Sequence, residues 1–142
     1  MQRRIATGDP SFDTLSRQLA RGLVALQLED GAFLNRWDVR TGAPVPGERS
    51  KYATGEAFWS LTLLHRFFPG EGWDGYALKT ADYLALKRDD YEDKKFPPWA
   101  DHWAAYGHGE LAHWPLEDHH IAYARSLADS VGFPNTREST LR

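Results

Sequence analysis

The sequence predicts an all-α fold built from antiparallel helical hairpins. Three observations carry this. Residues 51–68, KYATGEAFWSLTLLHRFF, place apolar or aromatic side chains on nearly every side of a 3.6-residue helix, the mark of a helix enclosed by neighbours. Four further stretches show apolar residues at helical spacing. The connections between them alternate, long at 29–52, short at 69–73, long at 87–98 and short at 114–116. If successive helices are antiparallel, both long loops fall at one end and both short turns at the other.

In chain order, residues 1–11 are expected as a loose arm, and Asp9-Pro10-Ser11 signals a helix start. The first helix covers about 12–28, with Leu15, Leu19, Leu23 and Leu26 on one stripe. Residues 30–52 are rich in Gly and Pro and fit no helix; an ordered loop pinned by Phe33 and Trp37 is expected. The central helix at 51–68 ends at Pro69-Gly70 and carries Glu56 in its first turn. A third helix follows at 74–86. The mixed-charge run KRDDYEDKKF, 87–96, is expected as a solvated loop. Pro97-Pro98 opens a fourth helix at 99–113, where Gly107 and Gly109 permit close approach of a neighbour. A fifth helix runs over about 117–131, with Gly132 as its cap and residues 133–142 as a polar tail. The whole, 1–142, is expected as one domain, a candidate fragment of a longer chain.

Composition narrows the function classes. Hydrophobic content of 42% and charged content of 26% suit a globular domain. A net charge of −3 with dispersed Lys and Arg excludes a basic nucleic-acid stripe. No apolar run reaches the ~20 residues of a membrane span, and the start lacks the apolar core of a signal peptide, so a soluble chain of unknown compartment is expected. The absence of Cys removes disulfides, thiolate ligands and a Cys nucleophile. Neither a phosphate-binding glycine loop nor a Gly-x-Ser-x-Gly elbow is present. His108 and His113 lack the i, i+4 spacing of a zincin helix, and the adjacent His119 and His120 are expected on different faces, so no metal or other cofactor is expected.

Two stretches bear a family resemblance. Leu23–Phe33, LVALQLEDGAF, resembles the Gln-rich turn of the α/α-toroid superfamily, with Phe33 in the place that terpenoid cyclases give to Trp. Residues 51–57, KYATGEA, resemble the start of an inner helix in toroids related to six-hairpin glycosidases and sugar epimerases, and Asp101-His102-Trp103 followed by Glu110-Leu111 resembles the next. The acidic Asp-x-Asp-Asp signature of one cyclase branch is missing, which argues against cyclase chemistry. The resemblance implies that the hairpins are part of an α/α-toroid acting on carbohydrate. A closed toroid needs more hairpins than this chain supplies, so the chain is expected to be part of a larger protein or a homo-oligomer. The uncovered apolar surface is expected around Phe58, Trp59, Phe67 and Phe68.

Paired carboxylates serve glycosidic cleavage or sugar isomerisation as acid and base. Glu56 and Asp101, each near the start of a helix that follows a long loop, are the candidate catalytic pair; helix capping alone also predicts acids at these places. Asp30 is a third acid, in an Asp-Gly turn. Trp37, Tyr52, Trp99 and Trp103 are candidate rings for stacking on a sugar face or for packing between helices, and His102 is a candidate hydrogen-bonding or proton-relay group. The alternative function is a non-catalytic helical scaffold that binds a peptide or protein partner.

Overall fold

A computed structural model describes residues 1–50, 53–92 and 101–139 of the chain. It is mostly helical, in the order α1 (Gln2–Thr7), α2 (Asp13–Val24), β1 (Trp37–Asp38), β2 (Ala43–Pro44), α3 (Ala53–Phe67), α4 (Trp73–Leu86), α5 (Arg88–Glu92), α6 (His102–Glu110) and α7 (Asp118–Ser139). Among the described residues no helix is long and apolar enough to cross a membrane.

The expected loose arm contains a short helix, α1, closed by Gly8 and by the Thr7 hydroxyl donating to the Arg3 carbonyl at 2.8 Å. The α2 helix stops at Val24, short of residue 28. Its chain tightens there, as Leu26 N–H donates to Leu23 O and Gln27 N–H to Val24 O. Leu23 and Leu26 pack on the core, whereas Leu15 and Leu19 are exposed.

The turn around Gln27 is fixed by side-chain hydrogen bonds. The Gln27 amide donates to the Tyr76 carbonyl at 2.9 Å and the Thr80 hydroxyl at 2.8 Å, tying the turn to α4. Gly31, at φ 95°, lies so close to the Lys79 carbonyl that no Cβ fits. Residues 33–50 then fold back on themselves as an irregular hairpin, with Trp37 opposite Pro44 and Leu34 opposite Arg49. Phe33 is buried and pins this loop; Trp37 is exposed and does not.

Ser50 starts α3, its hydroxyl accepting the Ala53 N–H at 3.0 Å while its carbonyl accepts from the Thr54 hydroxyl. Thr54, Gly55, Ala57, Phe58, Leu61, Thr62, Leu63 and Leu64 are buried, so α3 is the enclosed helix that its composition predicts. Enclosure is more complete than expected in one respect. Phe58 and Phe68 are buried within a single chain, Phe58 against Gly107 and His108 of α6 and Phe68 under the Arg17 guanidinium of α2, 3.7 Å from its ring centre, while Trp59 and Phe67 stay half-buried.

The α3–α4 hairpin turns through residues 68–72, where His65 Nδ1 meets Asp74 at 3.6 Å. The charged run after α4 is not wholly a solvated loop. It forms α5, and Arg88 is buried at its start because it has a buried acid to pair with, Asp101. The α6 helix is shorter than 99–113; Pro97 and Pro98, the expected helix starters, lie outside the described residues, and Asp101 is the cap. The α7 helix passes through Gly132 to Ser139, so most of the expected polar tail is helical; glycine inside a helix costs only about 1 kcal/mol and does not force a stop.

Side-by-side contacts set the direction of α6 against α3. Gly55 lies against Asp101, Trp59 against Trp103, and Arg66 against Glu110. The two helices therefore run parallel and start at the same end, as the alternation of long and short connections predicts. At that end the two long connections also meet: the Arg49 guanidinium stacks 4.1 Å from the Tyr91 ring centre of α5. Behind this pair, α7 packs on both α6 and α4, through Tyr123 beside His108 and through His119 and His120 beside Asp82.

Candidate functional site

Asp101 is the residue around which the helix starts are arranged. Its Oδ1 accepts the Ala104 N–H at 2.9 Å, capping α6, and its Oδ2 accepts from Arg88 Nη1 at 2.5 Å. The pair is nearly inaccessible, with side-chain exposures of 2% for Arg88 and 7% for Asp101. Gly55 makes room for it: a Cβ there would lie 2.6 Å from Oδ1. A small residue in the first turn of α3 is thus a condition for the carboxylate of α6 to sit where it does.

Glu56, the other candidate acid, is the next residue along α3 and is exposed. The fold brings the two acids to neighbouring positions and gives them opposite surroundings. One oxygen of Asp101 accepts from a backbone amide and the other from a guanidinium, so both oxygens are engaged in holding the structure. Glu56 remains in water, at the positive end of a helix.

On the surface between α3 and α6 lies a group of rings. Trp59 lies 5.4 Å from Trp103 and 5.2 Å from Tyr106, centre to centre, and His102 lies 5.0 Å from Trp103. Trp59 and Trp103 are half-buried, while His102 and Tyr106 are exposed. Glu56 is three residues before Trp59 and so shares its side of α3. The Arg66–Glu110 pair, at 3.2 Å, closes the far end of this face.

The remaining candidates are dispersed. Asp30 is held by Arg49 at 2.7 Å and by the Ala32 N–H at 3.2 Å, the pattern of a turn-forming aspartate. Trp37 is exposed on the loop hairpin. Tyr52 and Trp99 lie outside the described residues. The sequence reading places Trp59 in an uncovered apolar surface rather than among the candidate site rings, and Arg88 in a solvated loop, and so misses both as site residues. Its i, i+3 relation to Glu56 was the available signal for Trp59; for Arg88 there was none.

Beneath the face lies a buried polar layer. His108 donates from Nδ1 to the Ala104 carbonyl at 2.9 Å, and its Nε2 has no hydrogen-bond partner among the described residues. Burial holds its pKa below the ordinary imidazole value, so it is held neutral. Burial also pushes the Tyr123 phenol up to about 12. On the far side of the layer, His119 and His120 do not part to different faces, and both rings reach the Asp82 carboxylate. Comparison with protein-family models, curated proteins and solved structures finds no match to the chain.

Proposed function

We propose that the chain is a carbohydrate-active domain of α/α-toroid type, which takes a sugar on the aromatic face between α3 and α6. The observation that carries this reading is the cluster of Trp59, Trp103, Tyr106 and His102, accessible to solvent and one helical turn from the exposed Glu56. Flat rings stack on the apolar faces of sugars, and tryptophan and tyrosine offer large area with few rotors to order.

Within that reading Glu56 is the acid–base group and His102, in the first turn of α6, the second proton carrier. Asp101 is a positioning residue that fixes α6 and Arg88. Glycosidic cleavage needs two working carboxylates. With Asp101 committed to Arg88, proton transfer on a sugar, as in isomerisation or epimerisation, suits the surroundings better than cleavage. Glu56→Gln is expected to leave the fold and sugar binding in place and to abolish proton exchange. Deuterium uptake from solvent into candidate aldoses and their epimers, followed by NMR, reads this directly. Exchange that persists undiminished in Glu56→Gln removes Glu56 from the role.

The alternative, a non-catalytic scaffold for a peptide or protein partner, draws on one observation: the acid expected to be catalytic is engaged as a cap and a buried ion pair. It predicts that no sugar binds and that the aromatic face is covered by protein instead.

A further inference from the structure

Asp82 lies in the last full turn of α4, and His119 and His120 lie in the first turn of α7. Neighbouring residues on a helix diverge by about 100°, yet both imidazoles turn to one atom. Asp82 Oδ1 lies 2.7 Å from His119 Nε2 and 2.8 Å from His120 Nε2, and the three atoms lie within 4.8 Å of one another. The rings stand 4.1 Å apart, tilted by 53°. Convergence of two imidazole nitrogens and a carboxylate oxygen is how side chains gather around a cation.

We infer that Asp82, His119 and His120 form a binding site for a divalent transition-metal ion, with zinc the best match. Nitrogen and oxygen donors of this kind suit zinc, and three protein ligands leave a position open for water or a small ligand. That opening has a direction, since Asp82 and His119 are partly exposed while His120 is buried. An outer partner is also present. Glu117 Oε2 lies 3.6 Å from His119 Nδ1, where a carboxylate steadies a ring that coordinates through Nε2.

Two features oppose the site and are outweighed. The start of α7 is a positive helix end, unfavourable to a cation; Asp82, Glu117 and Asp118 supply negative charge around it. His120 Nδ1 accepts the Glu117 N–H at 3.2 Å, which places the ring proton on Nε2, facing Asp82. Metal binding at Nε2 moves that proton to Nδ1, as the other tautomer of the neutral ring, and so gives up the long hydrogen bond from the exposed Glu117. Binding weakens as pH falls, because an imidazolium has no nitrogen lone pair to give the metal. The site uses α4 and α7, and it stands or falls independently of the α3–α6 face.

The test uses the untagged chain, stripped with a chelator and titrated with zinc against a chromophoric competitor. One zinc per chain at micromolar or tighter affinity is expected, with a melting temperature that rises with zinc. Loss of an outer partner alone weakens metal binding by about 10- to 100-fold. Asp82→Asn and His119→Gln are therefore expected to lose about 100-fold or more, and the exposed Glu117→Gln about 10-fold. His113→Ala, on an exposed turn outside the cluster, is expected to bind as the parent does. Circular dichroism confirms that each variant is folded. Zinc well below one per chain, or parental affinity in Asp82→Asn, overturns the site.

Discussion

Asp101 and Arg88 form an ion pair in which both groups are nearly inaccessible, and each offsets part of the cost of burying the other. Asp101→Asn keeps an acceptor for the Ala104 N–H but removes the charge that Arg88 faces. A loss of about 3 kcal/mol of unfolding free energy is expected, near the lower end of what breaking a buried pair costs. Urea denaturation measures it, and a loss below about 0.5 kcal/mol, the range of an ordinary surface change, would show the pair to be dispensable. His108 gives a second residue-scale test. Its folded pKa is depressed by burial, with His120 opposing and Asp101 favouring its charge. On acidification the unfolded chain takes the proton first. Stability from this group is full above the unfolded value of about 6.5 and falls as pH drops below it. His108→Leu is expected to flatten the stability profile between pH 7 and pH 5 relative to the parent. Parallel profiles for the two proteins would contradict it.

The parallel contact of α3 with α6 is where local sequence and packing agree most closely. Gly107 faces the Phe58 ring, and a Cβ there would lie 2.5 Å from Phe58 Cε1, whereas a Cβ on Gly109 meets nothing within 4 Å. Two alanine substitutions in one short helix should therefore differ in sign. Gly109→Ala is expected to stabilise by up to about 1 kcal/mol through helix propensity. Gly107→Ala is expected to destabilise by about 1–2 kcal/mol, because overpacking exceeds that gain. Thermal or chemical denaturation of both variants reads the contrast, and stabilisation by Gly107→Ala would deny the close approach. Helices announced by periodicity, such as α3 and α4, were legible to within a residue or two of each end. The end of α7 was not, since a glycine permits a stop without requiring one. Nor was α5, because a charged run shows its burial only through a partner thirteen residues away. The same reason hid the Asp82 cluster, whose members lie 37 and 38 residues apart.

At the scale of the whole molecule, the all-α hairpin architecture was legible because apolar periodicity and connection lengths both report on it. The candidate site was legible only as a pair of helix starts. Both candidate acids mark the correct helix starts, yet no local pattern distinguishes a carboxylate in water from one locked to a guanidinium. Self-association was expected from Phe58, Trp59, Phe67 and Phe68, of which Phe58 and Phe68 are buried and Trp59 and Phe67 half-buried; more exposed apolar residues lie elsewhere. Leu15 and Leu19 of α2 are 47% and 66% exposed, and Leu19 lines a groove with Leu23 and Leu64. Light scattering after size exclusion is expected to give twice the 16.2 kDa chain mass and to return to the single mass in Leu19→Glu. A monomer at micromolar concentration would show that this face needs no cover.

The claim on which the account turns is that the α3–α6 face receives a sugar. Titration of mono- and oligosaccharides, followed by tryptophan fluorescence and by calorimetry, tests it most directly. Saturable binding is expected that Trp103→Ala weakens by about two- to tenfold, in line with the ~0.5–1.5 kcal/mol worth of an aromatic contact, while Trp37→Ala, on the loop hairpin and outside the ring cluster, leaves it unchanged. Absence of binding across neutral, acidic and amino sugars, or equal affinity in Trp103→Ala and the parent, would contradict it.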